Sequence, residues 1–373
     1  MNETRKEIVN YIEANFQKLV AKRATIGIDG FVDKIQKVVQ SKSSDNEYVF
    51  FSHIAKFGSH LISKSGQSCG IEVCQKLTKL GGCSPNMASA LGNLSVKVNC
   101  IGTLGYPQID PLFKELHSNC TLYTIGNPGY TTALEFDDGK VMLIQKDFLH
   151  DLDWKVMKNI LTLDKLKEFF FNSNLIGLVD WNNIVQYNDI LEGILREVLP
   201  EHTQNKKQII FFDLADFSER SKEDICKAIQ LINKFNLHYK AILSLNESEA
   251  ISLYNALYPE IQIADLKALG QAIYDAIGID SVVIHTLIHS FAWDENGISE
   301  TPSLYVQKPK LSTGGGDNFN AGLCLGQLLG LDLEGSLYVA NAVSGYYVRN
   351  GHSPSIENLI DTLGNWESLI EIP

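Results

Sequence analysis

The chain has 373 residues, of which 45% are hydrophobic and 20% are charged, and its 44 acidic residues outnumber 32 Lys and Arg. This composition is typical of a folded globular protein and excludes a disordered, collagen-like or coiled-coil chain. The formal net charge of -12 argues against a nucleic-acid partner, because duplex binding needs a basic surface. Small anionic ligands remain compatible with it, since backbone N–H groups can bind them locally.

We expect a cytoplasmic protein without a membrane partner. No run of 18 or more apolar residues occurs, and charges interrupt the apolar pattern of the N-terminal segment, unlike a secretory signal. The seven cysteines are scattered and odd in number. They favour free thiols in a reducing compartment over a disulfide framework.

Apolar runs of strand length alternate with helical patterns along most of the chain, beginning with an amphipathic pattern over 4–21. Continuous apolar strands between helices predict an α/β fold, in which a mainly parallel central sheet is flanked by helices on both faces. The strands are expected at 24–28, 96–101, 175–180, 208–213, 240–245 and 281–285. Further helices are expected near 84–94, 162–172, 187–198, 221–235, 247–257, 264–277, 317–330, 333–349 and 356–371.

Two segments, about 31–80 and 127–150, break this alternation. In the second, alternating apolar residues flank Asp137-Asp138-Gly139, which is a strong hairpin signal. We expect both segments to form a small β lid over the C-terminal edge of the sheet. Because no linker divides the chain, residues 1–373 are expected to form one domain.

A glycine-rich segment carries the clearest sign of chemistry. Gly314, Gly315 and Gly316 precede Asp317 and an uncharged helix. Glycines allow several N–H groups to point at one place, and the helix N-terminus adds its positive dipole end, so the segment suits an anion. The alternative is a glycine-rich turn with an Asp in the first helical turn.

Two upstream segments also place polar groups beside predicted elements. Gly82 and Asn86 open the helix near 84–94, either as part of a ligand site or as an ordinary helix start after a glycine cap. Asp29 and Asp33 follow the first strand, and a carboxylate can accept hydrogen bonds from two adjacent hydroxyl groups of a polyol.

Further polar residues lie at the ends of predicted strands or just after them. Asn246 and Glu249 have the spacing of a helix capping box. Asp180 and Asp213 end strands where α/β sites lie, so they either face a cleft or cap turns.

Taken in chain order, these segments resemble the ribokinase-like, or PfkB-type, carbohydrate kinases. Residues 311–319 match the pattern DTxGAGDxF, with Leu311 in place of its first Asp, 81–88 match GGxxxNxA, and 246–249 match NxxE. The matches extend from residue 27 to residue 322. The resemblance implies a ribokinase-like fold and a kinase that transfers the γ-phosphoryl group of ATP to a sugar hydroxyl.

The resemblance also implies a role for each matched residue. Asp317 would be the general base, and Gly314, Gly315 and Gly316 would form the anion hole. Asp33, which fits the family position better than Asp29, would bind the sugar together with Gly82 and Asn86. Thr286 and Asn246 would bind the nucleotide, and Asn246 and Glu249 would hold Mg²⁺ through water.

Two further features follow from the resemblance alone. A monovalent-cation site is implied near Gly351 and Ser355, and a homodimer formed through the lid is implied as the assembly. Neither is marked by a local pattern in the sequence.

One departure from the family affects the nucleotide site. Ile288 and Phe291 stand where the family has turn glycines, so we expect weaker ATP affinity or a relaxed base preference. Two alternatives stay open: a nucleoside or vitamin-precursor kinase of the same superfamily, and a sugar-binding regulator with weak catalysis.

Overall fold

The computed structural model describes residues 3–43, 47–202, 207–260 and 265–372. Within them, the strands are β1 (Arg23–Gly27), β2 (Phe31–Lys42), β3 (Tyr48–Phe50), β4 (Val73–Gly81), β5 (Lys97–Gly102), β6 (Cys120–Thr124), β7 (Gly129–Phe136), β8 (Gly139–Gln145), β9 (Leu175–Leu178), β10 (Ile209–Asp213), β11 (Lys240–Asn246), β12 (Ser281–His285), β13 (His289–Asp294) and β14 (Gly297–Pro302). The helices are α1 (Glu3–Asn15), α2 (Ile54–Ser63), α3 (Cys83–Asn93), α4 (Trp154–Leu161), α5 (Leu163–Asn172), α6 (Tyr187–Gly193), α7 (Lys222–Phe235), α8 (Glu247–Leu257), α9 (Leu266–Ile277), α10 (Gly315–Leu329), α11 (Leu333–Asn350), α12 (Ile356–Gly364) and α13 (Trp366–Leu369).

Nine strands form the main sheet in the order β14-β13-β12-β11-β10-β9-β1-β5-β6. The strands from β12 to β6 run parallel, and β13 and β14 add an antiparallel edge. In β10, Ile210 and Phe212 join a hydrophobic cluster on one face, while Ile209 and Phe211 join a second cluster on the other. Both faces are buried, as the continuous apolar strands predicted, and the α/β fold is confirmed.

The expected strands and most expected helices are present, but three helices differ from expectation. The first ends at Asn15 and continues as a 3-10 segment, Phe16–Ala21, and α6 continues as a π turn, Ile194–Val198. The helix expected at 356–371 is divided at Asn365, beside Gly364, where helix propensity is low. Residue 264 of the helix expected at 264–277 lies outside the described residues.

A separate small sheet contains the two segments that break the alternation. Its order is β3-β2-β7-β8, with β4 also paired to β2, and the hairpin β7–β8 turns at Asp137 and Asp138 as predicted. Leu134 and Phe136 of β7 pack with Phe57 of α2 in a small cluster on one face of the sheet. Helix α2 was not predicted from the sequence, and its Phe57 packs into this local cluster. That the small sheet closes as a lid stays a prediction.

Helices α10 and α11 pack with almost no space between their backbones. A Cβ atom on Gly322 would lie 2.7 Å from the Ala340 Cα, and one on Gly326 would lie 2.7 Å from the Ser336 Cα. The small residues after Asp317 therefore allow the close packing that fixes the start of α10. Among the helices of the described residues, none has both the length and the apolar character needed to cross a bilayer.

Candidate active site

The candidate site lies at the edge of the main sheet where its parallel strands end. Asp213, Asn246 and His285 are the last residues of β10, β11 and β12, and Asp29 follows β1 by two residues. Because these strands are parallel, their ends meet at the same edge, which is where open α/β sheets bind ligands.

The glycine turn before α10 is held against α11 by one tyrosine. Gly314 adopts a φ of 94°, and a Cβ atom there would lie 2.6 Å from the Tyr347 hydroxyl. This hydroxyl donates a hydrogen bond to the Thr313 carbonyl at 2.8 Å. Position 314 therefore requires glycine both for its conformation and for space.

The anion hole expected from the three glycines needs one correction. The Gly315 N–H donates to the Ser312 carbonyl at 3.0 Å and so closes the turn. Among the described residues, the N–H groups of Gly314, Gly316 and Asp317 have no acceptor. The free donors at this helix start are therefore those three, with Asp317 in place of Gly315.

Asp317 and Asn86, predicted from separate motifs, are in direct contact. The Asn86 side-chain amide donates to the Asp317 Oδ2 atom at 2.8 Å, although the two residues are 231 positions apart. Asn86 lies in the first turns of α3 and Asp317 in the first turn of α10. The acceptor motif and the glycine motif therefore meet at one carboxylate.

Two consecutive glycines leave room for two carboxylates. A Cβ atom on Gly81 would lie 2.5 Å from the Asp33 Oδ2 atom, and one on Gly82 would lie 2.5 Å from the Asp29 Oδ2 atom. The Asp33 carboxylate is 7% exposed and is hydrogen-bonded by the Thr131 side chain. Asp29 has no exposed surface, and backbone N–H groups occupy both of its carboxylate oxygens. Of the two, Asp33 is the better placed to bind an acceptor.

A cavity of about 500 Å³ adjoins the glycine turn. Its lining includes Asn246, Thr286, Gly315 and Gly316, so the structure brings together the residues predicted to bind nucleotide and two of the three glycines. The Thr286 hydroxyl accepts N–H groups of the β12–β13 turn and donates to the His289 carbonyl at 3.0 Å.

Ile288 and Phe291, expected to alter the nucleotide site, do not line the cavity beside the glycine turn, and the expected effect on ATP affinity stays a prediction. Phe291 is 6% exposed and belongs to the core, where its ring packs beside Trp293. Ile288 lies in the exposed β12–β13 turn and is not part of the cavity wall, whereas its neighbour Leu287 is. Side chains alternate along β13, so Phe291 points to the face opposite the one that carries Ser290.

Asn246 and Glu249 form the capping box that their spacing predicts. Asn246 Oδ1 accepts the Glu249 N–H at 2.9 Å, and Glu249 Oε2 accepts the Asn246 N–H at 2.8 Å. The Asn246 amide also donates to Glu249 Oε1 at 2.7 Å. Glu249 is therefore held in place by Asn246, and a metal near this pair would be reached through water.

Several carboxyl groups crowd this edge of the sheet. Burial, and then the charge of Asp213, raises the pKa of Asp317 to about 8 and that of Glu249 to about 8. Burial raises the pKa of Asp213 to about 6, although hydrogen bonds from the Ala215 N–H and the Asn320 amide lower it in part. The charge of Asp213 raises the pKa of both other carboxyl groups, and a divalent cation bound beside them through water would offset this negative charge, so the oxygen donors present fit Mg²⁺.

One cation near the Asp33 carboxylate was not predicted from the sequence. Lys79 of β4 lies opposite Asp33 of β2 in the antiparallel pair. Burial lowers the pKa of its ammonium group, and the charges of Asp33 and Asp317 raise that pKa in part. Only the β2–β4 register, which no local pattern reveals, brings Lys79 to this place.

Residues 1–366 match the family model described as prokaryotic ketohexokinase. The chain belongs to this family. A ketohexokinase of Haloferax volcanii is 28% identical over 339 residues, which cover 90% of this chain and 89% of that protein. The chain is accordingly an ATP-dependent carbohydrate kinase of the ribokinase-like family, as the motifs implied, and a carbohydrate acceptor is favoured over a nucleoside or vitamin precursor.

Solved structures agree with this fold. Ribokinase of Arabidopsis thaliana, complexed with ribose and ATP, superposes with a TM-score of 0.65 at 15% identity, covering 92% of this chain and 98% of that one. Ribokinase of Thermotoga maritima gives a TM-score of 0.62 at 14% identity, covering 92% and 99%. A nucleoside kinase of Methanocaldococcus jannaschii gives 0.58 at 14% identity, covering 92% and 98%. At these identities the likeness shows the ribokinase fold alone.

Replacing Asp317 by Asn should stabilise the ligand-free protein, and the gain should grow with pH. The pKa of Asp317 is raised from 3.8 to about 8, so between these values the folded state keeps a proton that the unfolded state has lost. The stability that this group contributes is therefore complete below the unfolded pKa and is lost as the pH rises through the folded one. Asn, being neutral, does not undergo this loss.

The measurement is the melting temperature of both proteins without nucleotide at about pH 5 and about pH 8.5. The matched control is Asp164→Asn, which changes an exposed carboxyl group in the first turn of α5. A difference between Asp317→Asn and wild type that stays constant across this range would contradict the raised pKa.

Proposed function

We propose that this kinase transfers the γ-phosphoryl group of ATP to a hydroxyl group of a ketohexose. The substrate class follows the ketohexokinase of Haloferax volcanii and the matching family model. The observation that carries the site assignment is the hydrogen bond from Asn86 to Asp317, which joins the acceptor side of the site to the start of α10.

Asp317 is the general base of the proposed reaction. A base works best when its pKa lies near the working pH, and burial beside Asp213 raises the pKa of Asp317 to about 8. The Asn86 amide orients the carboxylate to accept the proton of the attacking hydroxyl. The Gly314, Gly316 and Asp317 N–H groups are the donors for charge that develops on the phosphoryl oxygens.

Asp33, Gly82 and Asn86 bind the acceptor in this proposal. The Asp33 carboxylate stands at the start of β2 and accepts hydrogen bonds from sugar hydroxyls, while Lys79 across the strands offsets its charge. The small sheet that carries Asp33 would close over the acceptor and exclude water, which otherwise competes for the phosphoryl group.

Asn246 and Thr286 bind the nucleotide in the cavity beside the glycine turn. Mg²⁺ would be held near Asn246 and Glu249, through water, and beside Asp213. When bound, it would neutralise phosphate charge and draw electron density from the phosphoryl group.

Three further parts of the proposal concern surroundings of the site. A monovalent cation near Gly351 and Ser355 would act on α10 through the Ser353 hydroxyl, which donates to Asn318 at 2.8 Å. A homodimer through the small sheet is supported by apolar side chains left exposed on it, among them Leu77, Met142 and Ile144. A cytoplasmic location is supported by seven cysteines that are all free thiols.

A coupled kinase assay over ketohexoses, aldohexoses, pentoses, sugar phosphates and nucleosides tests the proposed function. We expect the highest kcat/KM with a ketohexose. Asp317→Asn should lower kcat with that acceptor by ~10²–10⁴-fold, the usual contribution of a general base, and leave ATP binding nearly unchanged.

The control for this variant is again Asp164→Asn, since both residues lie in the first turn of a helix. Near-normal turnover of Asp317→Asn on a confirmed acceptor would overturn the base assignment. Acceptor binding without any nucleotide consumption by the wild type would favour the regulator instead.

Asp33→Ala should raise the KM for the acceptor without altering nucleotide binding. Each charge-assisted hydrogen bond lost costs ~1.5–3 kcal/mol, or roughly a 10- to 150-fold change. Lys34→Ala is the control, because Lys34 is the next residue of β2 and lies over the Tyr130 ring at 5.9 Å. An unchanged KM and kcat in Asp33→Ala would remove Asp33 from the acceptor site.

A further inference from the structure

We propose that Asp29 is a positioning residue for phosphoryl transfer, because its buried carboxylate fixes the start of α3 and thereby holds the Asn86 amide against Asp317. The proposal rests on the proposed function of the Asn86–Asp317 pair. Asp29 itself touches neither the cavity nor the acceptor, so its effect on the reaction passes through α3.

Asp29 and α3 are joined by a reciprocal set of hydrogen bonds. Asp29 Oδ2 accepts the Cys83 N–H at 2.8 Å, and Asp29 Oδ1 accepts the Ser84 N–H at 2.7 Å. In return, the Ser84 hydroxyl accepts the Asp29 N–H at 3.2 Å. This is the arrangement of a capping box, made between residues 55 positions apart instead of within one helix.

Among the described residues, no other side chain caps the N-terminus of α3. Its N-cap position is Gly82, with a φ of 98°, and no side chain of its own can satisfy the first N–H groups of the helix. A Cβ atom at this position would lie 2.5 Å from Asp29 Oδ2. Gly82 is thus the residue that admits the Asp29 carboxylate to the helix end.

A second buried carboxyl group, that of Asp180, forms a hydrogen bond with the Asp29 carboxylate. Asp180 is 1% exposed, and its side chain is hydrogen-bonded to Asp29 and accepts the Asn183 amide at 2.7 Å. Two carboxyl groups in contact share one proton, and two N–H groups of a helix N-terminus stabilise the ionised form of Asp29. Burial and the charge of Asp29 raise the pKa of Asp180 well above its usual range, so Asp180 carries the proton.

Asn86 connects the capped N-terminus of α3 to the Asp317 carboxylate. Asn86 donates its N–H to the Gly82 carbonyl at 3.2 Å, in the turn that Asp29 caps, and its side chain donates to Asp317. A displacement of about 1 Å at a reacting pair can cost ~10²-fold in rate. Loss of this cap should therefore displace the Asn86 amide from Asp317 and lower kcat, while leaving the nucleotide cavity, which α3 does not line, unchanged.

The test is a double-mutant cycle on kcat with the acceptor found in the substrate assay. In Asp29→Asn the amide has one acceptor oxygen, so one of the two N–H groups of α3 loses its partner. We expect Asp29→Asn to lower kcat at least ~10-fold in the wild-type background and less than ~2-fold in the Asn86→Ala background. The reason is that the effects of two residues that act through one contact are not additive. The KM for ATP should stay unchanged.

Asp153→Asn is the matched control, since Asp153 caps α4 by accepting the Val156 N–H at 2.7 Å and lies outside the site. It should lower the melting temperature to a similar extent and leave kcat unchanged. If Asp29→Asn does not fold, Ser84→Ala removes the hydrogen bonds between the Ser84 hydroxyl and Asp29 and keeps the two backbone N–H bonds, so we expect a smaller fall in kcat that again shrinks in the Asn86→Ala background.

Two results would overturn the positioning role. One is unchanged kcat in folded Asp29→Asn or Ser84→Ala, and the other is an equal fall in both backgrounds, which a purely structural role predicts. Failure of the proposed function is distinguishable, because Asn86→Ala alone would then keep normal turnover on the confirmed acceptor.

Discussion

Two helices begin at the same point in this protein, and the carboxyl group of Asp317 lies between them. The start of α10 is fixed by the glycine turn and Tyr347, and the start of α3 is fixed by Asp29. Helix N-termini attract negative charge, so the point where they meet suits both a carboxylate and a phosphoryl group. The hydrogen bond from Asn86 to Asp317 joins the starts of the two helices, and the proposed acceptor site, nucleotide site and general base all depend on it.

Residues at this edge of the sheet combine capping with chemistry. Asn246 and Glu249 close a capping box, and Asn246 also lines the cavity beside the glycine turn, so the same bonds that begin α8 hold the Glu249 carboxylate near the proposed nucleotide site. The crowded carboxyl groups have raised pKa values and therefore reduce the stability of the ligand-free protein above neutral pH. Binding of a divalent cation would relieve this repulsion, which couples the stability of the fold to occupancy of the site.

Local patterns predicted the parts of the molecule that are held by local contacts. The helix expected at 247–257 has those bounds, because its capping box is a contact between residues three positions apart. The buried strands of the main sheet were also predictable, since their apolar runs reflect burial on both faces. Asp317, Asn86 and Asn246 fell where the motifs implied, around one edge of the sheet.

The features that were not predicted depend on contacts between distant residues or on details of backbone geometry. The register of β2 with β4 places Lys79 beside Asp33, and the alternation of β13 turns Phe291 into the core instead of the nucleotide site. The Gly315 N–H is used within its own turn, a detail of backbone geometry that a glycine-rich pattern does not specify. Asp29 was the weaker candidate for the sugar, and no local signal pointed to the helix that it caps from 55 positions away.

The central claim is that Asp317 accepts the proton of the attacking hydroxyl while Asn86 stabilises its ionised form. The most direct measurement is the rate of the first turnover as a function of pH, by rapid quench, in wild type and in Asn86→Ala. The rate should rise with pH as one carboxyl group ionises, and Asn86→Ala should move this rise to higher pH, because the lost hydrogen bond lowers the pKa of Asp317. A rate that does not depend on pH, or a rise that Asn86→Ala leaves in place or moves to lower pH, would contradict the account.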